Sequence, residues 1–146
     1  MKPTPADWPR FSSAIVYRDA AAAIDWLCDA FGFGIRIKVE GENGRIEHCE
    51  LEYGDGVVMI AQESPDAPRP WKRSLRSPRS VEGANTQSLM FYVDDADSHC
   101  AHARSRGARI LEEPTTHDYG EEHWADRSYA ALDPEGHIWW VAQRVR

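Results

Sequence analysis

The sequence predicts an α+β fold built from two consecutive β-α-β-β-β units, and three observations carry that prediction. A helix with a capping aspartate before it and a glycine after it is read twice, at residues 20–31 and 96–106. Each helix follows one strand-like run and precedes three more, separated by turns rich in Gly, Asp, Asn and Pro. Landmarks of the halves recur 75 positions apart: Tyr17 with Tyr92, Gly32 with Gly107, Ile35 with Ile110. Repetition on the scale of a supersecondary unit restricts the possible folds sharply.

The first strand is read at residues 11–18. Asp19 then offers a side-chain oxygen to a free amide of the first helical turn. Ile24, Leu27, Cys28 and Phe31 fall at i, i+3, i+4 and i+7 and make one apolar stripe. Gly32 can take the left-handed conformation that ends a helix. Strands are expected at 33–40, 45–53 and 57–62, joined by the Gly41-Glu42-Asn43-Gly44 and Gly54-Asp55-Gly56 turns. Residues 64–84 are rich in Pro, Ser and Arg without a period and read as a linker. In the second half a strand at 87–94, the cap Asp95, a helix to Arg106 and Gly107 repeat the pattern. A short strand at 108–112 ends at Pro114, a polar loop runs from 115 to 126, and strands follow at 127–132 and 137–143. The units are placed at 9–63 and 86–144, with 64–85 between them.

Composition removes several function classes. The chain has 146 residues, 42% of them hydrophobic, enough for one core or two small halves sharing one. No run of about 18 apolar residues exists, so no membrane partner is expected. Met1-Lys2-Pro3-Thr4-Pro5-Ala6-Asp7 has no apolar run behind it, so the expectation is no secretory signal and a cytoplasmic address. A net charge of −7 argues against nucleic acid as a partner. Cys28, Cys49 and Cys100, an odd count without CxxC spacing, read as free thiols. No nucleophile elbow or phosphate-binding glycine loop is present.

Three local patterns carry a family resemblance. Residues 17–26, Tyr-Arg-Asp-Ala-Ala-Ala-Ala-Ile-Asp-Trp, close with Ala30-Phe31-Gly32-Phe33; Tyr92-Val93-Asp94-Asp95-Ala96-Asp97 close with residues 104–110; and Asp133-Pro134-Glu135-Gly136-His137 form a late turn. In this order they resemble the vicinal-oxygen-chelate superfamily of glyoxalases, bleomycin-resistance proteins and dioxygenases. The resemblance implies that each unit is an open, cupped mixed sheet with a helix on its outer face. It also implies that paired units enclose a small-molecule cleft, and that the chain is a homodimer.

Enzymes of that family hold a divalent ion on the first and last strands of each unit. Counting from caps and turns places Ser12, Ser88, Ile60 and Trp140 there, and none is a good donor. No metal or other cofactor is therefore expected. His48 and Glu50, two apart on one strand, share a face and are the candidates for acid–base work or for atypical metal ligation. His117, Glu121, Glu122 and His123 read as a solvated loop, and His99 and His102 as helix surface.

Without a metal, the cup's character comes from aromatics. Ser88, Met90 and Tyr92 share one face, Ser12 and Ala14 are expected inward, and Trp140 points in while Trp139 points out. Trp124 and Tyr129 are expected to close one side. Three functions follow. The first is metal-independent sequestration of an aromatic or cationic small molecule. The alternative is a lyase, isomerase or dioxygenase with atypically held metal. The third is a protein-binding module using the Arg-rich linker.

Overall fold

The computed structural model describes residues 1–146 and contains two four-stranded mixed sheets. The first unit comprises β1 (Ser13–Tyr17), α1 (Ala20–Trp26, continuing as a π-helical turn, Leu27–Phe31), β2 (Gly34–Glu40), β3 (Ile46–Tyr53) and β4 (Gly56–Gln62). A connection with the short α2 (Pro70–Arg73) leads to β5 (Leu89–Tyr92), α3 (Ala96–Ser105), β6 (Arg109–Asp118), β7 (Ala125–Leu132) and β8 (Ile138–Arg144). The sheets have strand orders β1-β4-β3-β2 and β5-β8-β7-β6. In each, first and last strands pair in parallel and the other neighbours are antiparallel.

Both helices start as their caps require. Asp19 accepts the Ala22 amide at 3.1 Å and Asp95 accepts that of Ser98 at 2.9 Å. Gly32, at φ 83°, closes α1 in a conformation that side chains with a Cβ resist. Asp19 to Gly32 spans thirteen positions, but Asp95 to Gly107 spans twelve. The wider turn at Leu27–Phe31 takes up the extra residue. Equivalent positions are therefore 76 apart before the helices and 75 apart after them. This corrects the pairing of Tyr17 with Tyr92: Tyr17 is wholly buried on the helix side, and Tyr92 lies on the other face.

A second correction concerns β6. It runs through Pro114 to Asp118, and β7 begins at Ala125, so much of the expected loop is strand. Pro114 sits on an edge strand where the register slips between Glu112 and Thr115, so its missing N–H breaks no ladder there.

One core serves both units. Ile15, Leu51 and Ile60 of the first sheet and Tyr129, Trp139 and Val141 of the second belong to a single buried cluster with both helices. Phe31, ending α1, lies 5.5 Å from the Trp139 ring and 5.7 Å from Phe91. His102 lies on the helix surface as expected, but His99 is partly buried between the units, and both bond across to the first unit. His99 Nε2 donates to the Phe31 carbonyl at 2.9 Å, its Nδ1 accepts the Tyr129 hydroxyl at 2.7 Å, and His102 Nε2 donates to Asp29 O at 2.7 Å. The units thus pack through their helix-bearing sides and turn the opposite sheet faces outward.

The Asp133–His137 turn clamps the units together. One Asp133 oxygen accepts Tyr17 Oη at 2.6 Å and Trp139 Nε1 at 3.1 Å; the other accepts the amides of Glu135 and His137. Glu135 accepts the Arg18 and Asp19 amides and the hydroxyl of Ser77. Gly136 holds φ 93°, and a Cβ there would meet Pro78 at 3.4 Å. The connection is therefore anchored rather than loose: Ser77 is fully buried, and its amide donates to Glu63 at 2.5 Å. No helix is long and apolar enough to cross a membrane.

Candidate functional site

The outward sheet faces are ordered by register. On the first sheet, Ala14, Met59, Glu50 and Ile37 form one row, and Val16, Ala61, His48 and Val39 the next. On the second, Met90, Trp140, Ala130 and Glu112 form the matching row, followed by Tyr92, Ala142, Ser128 and Thr115. Ile60 does not belong to this face. It pairs with Ile15 and Cys49 at 1% exposure, and Met59 holds the position equivalent to Trp140. The count from the turn slipped because the second hairpin is longer, joining Leu132 to Ile138 where the first joins Glu52 to Val57.

The second face is hollow. Ala142 and Ser128 make a floor of small side chains, with the buried Ala130 beside Trp140 in the neighbouring row, and larger groups stand around it. The cavity holds about 410 Å³ and is walled by Met90, Trp140, Tyr119, Glu112, His117 and Asp126. At its far end Arg144 Nε donates to Asp126 at 2.5 Å, and its terminal nitrogen donates to Tyr92 Oη, which donates to Asp126 at 2.9 Å. The guanidinium lies 5.3 Å from the rings of both Tyr92 and Trp124. Burial alone raises the pKa of Asp126, but hydrogen bonds from Arg144 and Tyr92 outweigh it and hold the carboxyl below its ordinary range.

The first face is filled at its centre. Glu50, 9% exposed, accepts His48 Nε2 at 2.9 Å on one oxygen, and Arg36 Nε lies 3.2 Å from the other. Arg36 also donates to the Asp7 carbonyl at 2.6 Å and lies 5.5 Å from the Trp8 ring. A hollow of about 890 Å³ lies beneath the N-terminal residues there, with the charged Asp7, Arg10, Arg36, Glu52 and Asp55 in its lining.

The expected site residues therefore separate. Met90 and Trp140 come together on the hollow face, with Tyr92 and Trp124 against Arg144 beside it. Ser12 and Ser88 line a seam crevice of about 280 Å³ with Met90, and the Ser12 hydroxyl donates to Val57 O. Ala14, His48 and Glu50 lie on the first face. Tyr129 is a correction: it alternates onto the helix side, is fully buried against His99, and burial pushes its hydroxyl pKa up. The sequence reading missed Tyr119 and Asp126 because the strands around them were read as a loop, Arg144 because β8 was ended one residue early, and Glu112 and Ser128 because the phase of their strands was not fixed. Apolar alternation alone does not extend a strand across Pro114.

The family's metal does not fit the donor chemistry. The outward side chains of β1 and β4 are Ala14, Val16, Val57, Met59 and Ala61, and those of β5 and β8 are Met90, Tyr92, Trp140, Ala142 and Arg144. None is a His or a carboxylate, and no three His, Cys, Asp or Glu converge elsewhere. The cysteines are free, and burial raises the Cys49 pKa to about 11.

Comparison with known proteins bears on the family and the fold. Residues 11–141 match the family model of the Glyoxalase/Bleomycin resistance protein/Dioxygenase superfamily. An uncharacterized protein of Mycobacterium bovis is 29% identical over 138 residues, 94% of this chain and 85% of that protein. The crystal structure of TioX from Micromonospora sp. ML1 superposes with a TM-score of 0.68 at 26% identity, covering 94% of this chain and 99% of that one. TnmS3, an antibiotic binding protein from a Streptomyces species, shares the fold with a TM-score of 0.60 at 21% identity, over 91% of this chain and 93% of that one.

Proposed function

We propose that this chain, which belongs to the Glyoxalase/Bleomycin resistance protein/Dioxygenase superfamily, is a metal-independent small-molecule binding protein that sequesters an aromatic or cationic ligand. The observation that carries the reading is the hollow second face, where a floor of Ala142 and Ser128 lies among Trp140, Tyr119 and Met90. Its volume of about 410 Å³ falls within the roughly 300–1,000 Å³ of small-molecule pockets. Small residues beneath and aromatic walls beside suit a flat ring, which gains from both stacking and burial. That TnmS3 is an antibiotic binding protein on the same fold is in keeping with this function.

We further propose a homodimer in which the first face of one chain covers the second face of its partner. Each face leaves large apolar groups uncovered, Ile37 and Val39 on one and Met90 and Tyr92 on the other, at 44–54% exposure. A filled face set against a hollow one encloses a ligand better than two hollow ones. A cytoplasmic address remains part of the proposal.

The test is a screen of planar aromatic and cationic compounds by tryptophan fluorescence, with each bound compound then recovered and identified. Stoichiometric binding, an unaltered ligand and loss of binding in Trp140→Ala are expected. Failure of every compound to bind below a Kd of about 1 mM, roughly 4 kcal/mol of affinity, overturns the proposal.

The His48–Glu50 pair keeps an enzymatic alternative in view. A lyase, isomerase or dioxygenase using it would need those groups free for metal or substrate, but Glu50 is engaged by Arg36 and His48 on its two oxygens. Near-stoichiometric metal after dialysis against Mn, Fe, Co, Ni and Zn salts, lost in His48→Ala, would favour the alternative.

A further inference from the structure

Glu112 occupies its place because of a fault in the ladder. Ile110 pairs with Ala131 on the helix side, and strict alternation would put Glu112 on that same side. A one-residue bulge intervenes, Glu112 pairs with Ala130 instead, and its carboxylate joins the row of Trp140 and Met90. A second irregularity follows before Thr115. Bulges re-aim side chains at the edges of sites, and here the re-aimed group is an acid lining the aromatic cavity. The first sheet has the same bulge between Ile35 and Ile37, but the residue it delivers is Ile37. The backbone device belongs to the fold; the acid belongs to the second unit alone.

Of the two carboxylates lining the cavity beside His117, only one has a cationic partner. Asp126 is matched by Arg144 at 2.5 Å, whereas Glu112 enters none of the chain's ion pairs. One carboxylate is thus left over beside a flat-ring site. We infer that the ligand carries its aromatic plane and its positive charge in one molecule, a planar aromatic cation, and that Glu112 is the residue that selects the charge. This rests on the binding-protein reading and goes beyond it by naming the ligand class and the selecting group.

The test uses three probes with one ring system: 9-aminoacridine (a cation), acridine (neutral) and acridine-9-carboxylate (an anion), titrated calorimetrically at pH 8. The wild-type protein should bind the cation about five- to tenfold more tightly than neutral acridine, and the anion weakest. Glu112→Gln, at an exposed position, should bring cation and neutral probe together without weakening the neutral one. Raised salt should narrow the wild-type preference. Equal affinity for the three probes, or a preference that survives Glu112→Gln, overturns the inference and leaves the binding-protein reading standing. Binding of none, with the broader screen also blank, removes both.

Discussion

Position for position, the outward faces of the two sheets invert one another. The third place in each row holds Glu50 and His48 in the first unit but Ala130 and Ser128 in the second. The edge strand carries Ala14 and Val16 in one and Met90 and Tyr92 in the other. The same ladder therefore supports a face filled at its centre with a bonded acid–base pair and a face hollow at its centre with aromatics at its margins. Backbone geometry is common to both units, so what separates a wall from a pocket is which strands carry the large side chains: β3 in the first unit, β5 and β8 in the second.

The largest expected effect comes from cutting what holds the two units in one body. Asp133→Ala deprives Tyr17, Trp139 and two amides of their acceptor. It should cost about 3–5 kcal/mol by urea denaturation. A loss below about 1 kcal/mol would mean that each face stands without the other.

Next, Ser128→Phe fills the hollow and should weaken a planar aromatic ligand about 100-fold, close to 2.7 kcal/mol. Unchanged affinity would relocate the ligand and break the comparison. His48→Ala, at the equivalent position of the first face, should cost only a few-fold, through the covering chain of the dimer. A loss as great as that of Ser128→Phe would make the faces equal partners.

Acid sharpens the contrast further. Because the Asp126 carboxyl titrates below its ordinary range when folded, its contribution is complete above the unfolded value, near pH 3.8, and is lost as pH falls through the folded one. Stability measured between pH 5 and 2.5 should fall less steeply in Asp126→Asn than in the wild type. Parallel curves would show that the Arg144 network contributes nothing there. The smallest effect is expected from chelation: ligand affinity should be the same with and without EDTA, and a drop would return the outer strands to consideration.

The fold was legible because caps, glycines and turn residues act locally. Asp19, Asp95, Gly32 and Gly107 announce both helices, and the late Asp-Pro-Glu-Gly turn announces the last hairpin. Register was less legible, because a strand's faces exchange with every single-residue slip. The longer second hairpin moved the count from Met59 to Ile60, and the wider turn in α1 paired Tyr17 with Tyr92. Tyr129 was misplaced for a related reason, since a strand started too late has no fixed phase. Glu112 was invisible for a deeper one: a bulge leaves no mark in apolar periodicity, and alternation would have sent that acid to the wrong side.

The π-helical turn at Leu27–Phe31 has a consequence for how such a chain changes length over its history. An inserted residue in a helix ordinarily rotates everything beyond it by about 100° and would carry Phe31 off the core. Confined to one widened turn, the insertion leaves Gly32 at its corner and Phe31 against Trp139. The turn is thus a buffer for insertions and deletions. Shortening the first helix by one residue there should yield a plain α-helix of the second unit's length, while an insertion in the middle of a strand would exchange its buried and exposed sides.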